Sequence, residues 1–346
     1  MKKINILVTG AGSGVGQSII KSLKISKINC NIISADISEY NAGLYRTKKS
    51  ILVPKVEKKG TLRWYIKNLK KLKINVLMIG SEFDINFFSK NKNIIKKKTN
   101  CEVCVADQEV IKMANDKYLT QIFLKDNNLP FLRTYAPKNL KEAINFSKKL
   151  NLPFVLKSRI GTSSRNVYVI KNLKDLVSLF HFVKKPILQE HIGSLKNDFK
   201  TEYTCSFFTT KNKEIMGPFI AKRKILNGTS WITEVTKDKK ISDLVIRIAK
   251  LIDNKGSFNI QLRKSNRGPI PFEFNPRFSG TTSIRSNFGF NEPEMFVKNF
   301  FQNKALKNPK IKRGICLRYI EEIFLEGINR SKMSKSFGKG QTRNWF

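Results

Sequence analysis

The stretch that most limits the fold is Ile4–Thr9, an apolar run that stops at Gly10 and continues as Ala11-Gly12-Ser13-Gly14-Val15-Gly16. Such a run suits a strand buried on both faces, the habit of parallel sheets. The glycine turn opens Val15–Ile25, whose apolar spacing is helical, and a second strand at Asn31–Ala35 ends on Asp36. Helical patterns at Leu62–Leu72, Asp84–Ile95 and Glu109–Ala114 alternate with strands at Val76–Gly80 and Val103–Ala106. Strands and helices that alternate for about a hundred residues specify a parallel α/β sheet.

From Asp116 the character changes. Helices Asp116–Asn127 and Asn139–Leu150 end before Pro130 and Pro153, where proline forbids continuation. Strand Phe154–Lys157, a small-residue turn, strand Asn166–Ile170, helix Asn172–Phe182 and strand Ile187–Glu190 follow. Strands Thr201–Phe208 and Glu214–Ala221 read as antiparallel neighbours; helix Ser242–Ile252 precedes two strands, Ser257–Arg263 and Ile270–Phe274. Residues Ser279–Phe301 read as helix interrupted at Pro293, a last strand covers Gly314–Ile320, and the polar tail Asn329–Phe346 is expected to be loose. The expected organisation is an α/β domain over 1–112, an α+β domain over 113–305 with a small lobe at about 130–188 and a large lobe at about 189–305, and a C-terminal strand with a basic tail over 306–346.

Composition narrows the function classes. The 346 residues hold no apolar run of the 18 or so a membrane helix needs, and Met1-Lys2-Lys3 precedes too short an apolar stretch for a secretory signal. Five scattered cysteines, an odd number without a second close pair, argue against a disulfide scaffold or zinc module and for reduced thiols in the cytoplasm. The net charge of +40 invites a nucleic-acid reading. However, only 15 of the 66 basic residues are arginine, and the lysines spread along the whole chain. A solvated basic surface that attracts small polyanions, nucleotides among them, explains this without a dedicated nucleic-acid face.

Taken alone, the first glycine loop with Asp36 matches a dinucleotide fingerprint: glycines admit a pyrophosphate and the carboxylate binds ribose. An NAD(P)-dependent oxidoreductase or epimerase is therefore the alternative reading. The loop spacing resembles short-chain dehydrogenases, but the only Tyr-x-x-x-Lys here, Tyr45–Lys49, lies too near the N-terminus for that family's catalytic pair. A tight crossover that merely needs small residues explains the loop equally well.

The chemistry concentrates later. In Ile270-Pro271-Phe272-Glu273-Phe274-Asn275-Pro276-Arg277, residues two apart face one side, so Glu273, Asn275 and Arg277 project together. A carboxylate and an amide oxygen at that spacing suit Mg²⁺, with Mn²⁺ as a substitute, and Gln261 on the preceding strand adds another oxygen. Arg277 then lies where it can hold a phosphoryl group or carboxylate. Upstream, Lys117 begins a helix, Lys157 ends a strand, and Gly161-Thr162-Ser163-Ser164 is a loop able to close over phosphates. The strand Ile187–Ile192 ends with Glu190, able to read an adenine amino group.

This order resembles the ATP-grasp superfamily over roughly residues 1–305, and within it the half-repeat of the carbamoyl phosphate synthase large subunit and its stand-alone relatives. The resemblance implies a Rossmann-like domain preceding two lobes that grip ATP with Mg²⁺. By position Lys117 and Lys157 resemble the phosphate lysines and Gly161, Thr162, Ser163 and Ser164 the lid. Glu190 and Ile192 resemble the adenine hinge, Glu202 an acidic residue near the ribose, and Gln261, Glu273 and Asn275 the metal ligands. Arg277 resembles the arginine beside the γ-phosphate. Gln261 is neutral, so the metal site rests mainly on Glu273, and Arg165 stands where several relatives place glycine. The implied activity is a carboxylate–amine ligase: ATP activates a carboxylate as an acyl phosphate, which an amine or similar nucleophile attacks. Ser81 and Glu82, beyond a parallel strand, and Lys222 and Arg223 are candidate acceptor residues. The implied partners are ATP, a small carboxylate and an amine, with a homodimer as in many relatives, and neither membrane nor specific nucleic acid.

Overall fold

The structure is a computed structural model that describes residues 3–161, 167–193, 199 and 201–342. Five parallel strands, β1 (Ile4–Val8), β2 (Cys30–Asp36), β3 (Lys49–Leu52), β4 (Val76–Met78) and β5 (Glu102–Cys104), form the N-terminal sheet in the order β3-β2-β1-β4-β5. Helices α1 (Gly14–Lys24), α2 (Thr61–Lys71) and α3 (Ile85–Thr99) cross between them. Strand order reverses at β1, so the loops after β1 and β4 form a crevice at the strands' carboxyl ends, where open α/β sheets bind ligands.

Helices α4 (Gln108–Asn115) and α5 (Lys117–Asp126) lead to a small antiparallel sheet. Its strands β6 (Thr134–Tyr135), β7 (Phe154–Ser158), β8 (Val167–Ile170) and β9 (Pro186–Glu190) run in the order β6-β9-β7-β8, and α6 (Leu140–Ser147) and α7 (Leu173–Leu179) cover it. The third sheet has β10 (Glu202–Thr209), β11 (Ile215–Leu226), β12 (Thr229–Val235), β13 (Gly256–Ser265), β14 (Gly268–Asn275) and β15 (Gly314–Leu317), ordered β14-β13-β10-β11-β12-β15. Helix α8 (Lys239–Leu251) lies between β12 and β13 in sequence, and α9 (Thr282–Asn287) and α10 (Glu292–Phe296) follow β14.

The cores show which parts are bound together. Leu7, Leu77 and Tyr65 of the N-terminal domain share one buried cluster with Phe207, Ile248, Phe258 and Phe274 of the large sheet. The small sheet instead closes over its own cluster, including Leu156, Ile170 and Leu188. The N-terminal domain and large sheet are thus welded by apolar burial, whereas the small lobe is self-contained.

Three local expectations are corrected. The break in Ser279–Phe301 falls at Gly289 (φ +97°) rather than Pro293, which sits in the first turn of α10, where its missing N–H costs nothing. The tail is not loose as far as it is described. Arg330–Lys335 makes a 3₁₀ turn, Phe337 packs its ring on Tyr45 with centroids 5.6 Å apart, and the N–H groups of Gly338 and Gly340 donate to Leu44 O and Tyr45 O. A side chain at position 338 would meet Thr47 O at 2.7 Å, so glycine is what lets the tail approach. The last strand ends at Leu317, three residues early.

Candidate functional site

The hairpin β13–β14 arranges its own oxygens. Antiparallel pairing sets Gln261 opposite Glu273 and Asn259 opposite Asn275, so these side chains share a face. Gln261 Nε2 donates to Glu273 Oε1 at 3.3 Å and Asn275 Nδ2 to the same oxygen at 3.0 Å. The opposite face carries Phe258, Ile260, Leu262 and Phe274 into the shared core, which fixes the register: a slip of one residue would bury the carboxylate and expose the phenyl rings.

The two lysines reach this face from different elements. Asp116 caps α5 by accepting from Tyr118 N and Leu119 N, and Arg159 grips its carboxylate at 2.7 and 2.8 Å. Lys117 N donates to Arg159 O and its Nζ to Gly161 O at 2.6 Å, tying the start of α5 to the end of β7. Lys157 is buried, and its amine has no hydrogen bond or ion pair to any described residue. Burial chiefly, with repulsion from Lys117, pushes its pKa down to about 7, opposed by the charge of Glu273. Burial also lowers Lys117, again opposed by Glu273. The charge of Glu273 thus acts on both amines across the groove.

The Arg277 side chain is mostly buried, 16% exposed, which lowers its pKa against the opposing charges of Glu82 and Glu273. Glu82 accepts from its guanidinium at 3.3 Å and Phe278 O at 3.0 Å, so the N-terminal domain holds the arginine beside the hairpin. Ser81, Glu82, Gln261, Glu273, Asn275 and Arg277 all line one cavity of about 330 Å³ between the N-terminal domain and the large sheet. A cavity of about 320 Å³ beside Ile220, Val235 and Ile311 is mostly apolar and lies away from these residues.

Other expected residues fall differently. Both oxygens of Glu202 are taken, by Arg223 at 2.9 Å and Arg263 at 3.0 Å, so its carboxylate is committed inside the sheet rather than offered to a ribose. Glu190 is likewise held by Arg133 and Arg267 at 3.0 and 2.6 Å. Ile192 O accepts from Arg263, and its N–H has no partner among the described residues. Arg223 lines the cavity and donates to Gln261 Oε1 at 2.7 Å; Lys222, one residue along the strand, faces the other way towards Glu234 at 3.6 Å. Lys222 is therefore not brought to the site. Thr162, Ser163, Ser164 and Arg165 lie outside the described residues. The positioning pair Asp116–Arg159 and the arginines around Glu190 and Glu202 escaped sequence reasoning, because each partner lies 21 to 77 residues away.

The first glycine loop is closed by its own chain. Asp36 accepts from Gly12 N at 2.7 Å, from Ile37 N and from Asn41 Nδ2, which occupies the carboxylate a ribose would need. A side chain at Gly12 would collide with Asn41, so Asn41 stands directly against the loop. The glycines serve a tight crossover, and the oxidoreductase reading is not supported.

A parallel α/β domain followed by two antiparallel sheets is the ATP-grasp architecture. Residues 199–323 match the family model for ATP-grasp in the biosynthetic pathway with Ter operon. The D-alanine–D-alanine ligase of Helicobacter pylori (strain P12) is 30% identical over 118 residues, 31% of this chain and 34% of the ligase. The chain thus spans about a third of the length of that curated relative. Among solved structures, the Staphylococcus aureus N5-carboxyaminoimidazole synthetase complexed with ADP superposes with a TM-score of 0.72 at 17% identity, covering 92% of this chain and 83% of that one. Campylobacter jejuni biotin carboxylase in a β-γ-ATP complex gives 0.71 at 16% identity, covering 90% and 74%. No described helix is long and apolar enough to cross a membrane.

Proposed function

We propose that the protein is an ATP- and Mg²⁺-dependent ligase that joins a carboxylate to an amine or similar nucleophile. The observation that carries this reading is Lys157: a buried ammonium without an anionic partner among the described residues, drawn by the charge of Glu273, the one carboxylate of an oxygen-rich hairpin. Leaving a charge so buried is costly unless a ligand supplies the counter-charge, and a triphosphate does. The donor set also suits the metal. One carboxylate and two amides make too weak a cage for Mg²⁺ alone, and a metal held there would need a ligand that brings further oxygens, as a triphosphate does. Among the described residues no group of three His, Cys, Asp or Glu side chains offers a rival metal site.

In this reading Glu273 and Asn275 would hold the metal, joined by Gln261 once its Oε1 gives up its bond from Arg223, and Lys117 and Lys157 would hold the phosphates. Bound Mg²⁺ supplies neutralisation of charge on the transferring group. Arg277, fixed by Glu82, steadies the phosphoryl group as its bond to ADP breaks and its bond to the acceptor carboxylate forms. The nucleophile's lone pair then attacks the acyl carbon, the carbon–oxygen bond breaks, and phosphate leaves. In this reading the N–H of Ile192 meets the adenine edge, and residues 161–164 keep the lid role on sequence grounds. Ser81, Glu82 and Arg223 sit on the acceptor side. Within the superfamily, motif order favours a stand-alone relative of the carbamoyl phosphate synthase half-repeat; a homodimer is the expected assembly and the cytoplasm the expected compartment.

A screen for ADP release across carboxylates paired with amines, with mass detection of the product, tests the proposal. Turnover that needs acceptor and Mg²⁺ and is abolished in Glu273→Gln is expected. Turnover by Glu273→Gln equal to wild type would remove the assignment.

A further inference from the structure

The large sheet ends on β15, which is paired on one side only. It runs antiparallel to β12, with Ile315 opposite Glu234 and Leu317 opposite Ile232, and no described strand adjoins its other edge. Arg318 N donates to Trp231 O, so by alternation the N–H groups of Ile315 and Leu317 turn away from β12. Neither has a partner among the described residues. The side chains alternate as well. Ile315 and Leu317 are 63% and 69% exposed on one face, and Tyr319, two residues further, is 72% exposed. Further into the sheet the same face is covered by α8, where Tyr203 leads the row that passes through Lys222 and Glu234 to Ile315. A sheet edge with free N–H groups and exposed apolar side chains is a template for another strand. Natural edges are usually blunted by lysine, proline or a bulge, and Gly314-Ile315-Cys316-Leu317 has none of these.

The flanking charges select the strand that fits. Every charged residue from Met295 to Ile320 is basic, and the next two residues, Glu321 and Glu322, are acidic. Lys312, Arg313 and Glu322 are exposed and have no ion pair among the described residues, whereas Arg46 holds Glu321 at 3.0 Å. A matching strand needs an acidic flank beside Lys312 and Arg313, a basic flank beside Glu322, and apolar residues between them. An antiparallel copy of β15 meets all three needs. With a two-fold axis at Leu317, Leu317 faces Leu317, Ile315 faces Tyr319, and Lys312 faces Glu322 at both ends. A parallel copy in register would set like charges opposite one another.

We infer that β15 pairs with β15 of a second copy of this chain, antiparallel about Leu317, so that the two large sheets become one. The contact is isologous: it closes at a dimer and leaves no free edge for a third copy. Pairing holds β15 on both edges and buries Ile315, Leu317 and Tyr319. The inference rests on the sheet edge alone and stands whether or not the ligase reading does.

Sedimentation equilibrium of the full chain over a range of protein concentrations tests it. About 0.15 M salt screens the repulsion between two chains of net charge +40. Wild type is expected to show a monomer–dimer equilibrium. Leu317→Lys alters a side chain exposed in the single chain, so the fold is spared, and it should weaken the dimer at least about thirtyfold. Lys312→Glu and Glu322→Lys should each weaken it about three- to tenfold, since each pair occurs twice. Combined in one chain, these two substitutions exchange the charges and should restore wild-type affinity. A wild type that stays monomeric throughout would overturn the inference. So would a dimer indifferent to Leu317→Lys, or a double variant weaker than either single one.

Discussion

Two ends of one face of β13 treat buried charge in opposite ways. At the Ser257–Asn259 end, Arg285 and Glu292 pair at 2.7 Å with side chains 1% and 0% exposed. Asn259, Ser279, Thr281 and Thr282 accept the remaining guanidinium hydrogens, while Ser206 and Ser257 donate to Glu292. At the Gln261 end, the Lys157 amine has no partner and Glu273 receives only amide donors among the described residues. The first end is complete as folded. The second is complete only with something bound, and that difference separates a structural charge from a functional one.

The sharpest way to break the comparison is to exchange the expected outcomes. Arg285→Met strands Glu292 in the core and should cost about 3–5 kcal/mol of stability, read by denaturant unfolding. Lys157→Met should do the reverse. Turnover should fall by about 10²–10³-fold while the unliganded protein holds or gains stability. The sign follows from the pKa near 7. The unfolded chain keeps this proton up to its ordinary lysine value, so wild-type stability rises with pH from about 7 to 10.5. The gain from Lys157→Met is therefore largest at pH 6 and fades above 7. Nucleotide affinity of wild type should fall as pH rises through 7, since phosphates need the charged amine. A Lys157→Met protein less stable at pH 6 would make the lysine structural and erase the contrast.

Asp84 offers an intermediate case, beyond β4. Burial raises its carboxyl to about 6, opposed by a hydrogen bond with Thr9 and reinforced by Asp36 and Glu57. The fold favours the protonated form, so its contribution is present below about pH 4 and lost as pH rises through 6. Asp84→Asn should stabilise the protein by about 1–2 kcal/mol at pH 7.5 and by nothing measurable at pH 4. The smallest effect belongs to Lys222→Ala, which removes an exposed pair with Glu234 and should change stability and turnover by less than about 0.5 kcal/mol.

What could be read from the chain was whatever local spacing determines. Four strands of the α/β third were legible because each is a short apolar run, whereas β3, which opens on Lys49-Ser50, went unseen; the hairpin was legible because Glu273 and Asn275 share a face through alternation. Strand β12 went unseen: its buried residues, Ser230, Thr233 and Val235, are mostly polar and leave no apolar rhythm. Competition between distant partners was not legible. Glu202 looked like a ligand-facing carboxylate because nothing near it reveals that Arg223 and Arg263 arrive from two other strands. Asp36 and the glycine loop carried a strong motif, which Asn41 and Gly12 turn inward.

The most direct measurement is calorimetric binding of ATP to wild type and to Glu273→Gln, with and without Mg²⁺, at pH 6.5. Wild type should bind far more tightly with the metal, and the variant should bind ATP with the same affinity whether Mg²⁺ is present or not. A folded wild-type protein that ignores ATP, or a variant that keeps the full magnesium effect, would contradict the role given to the hairpin.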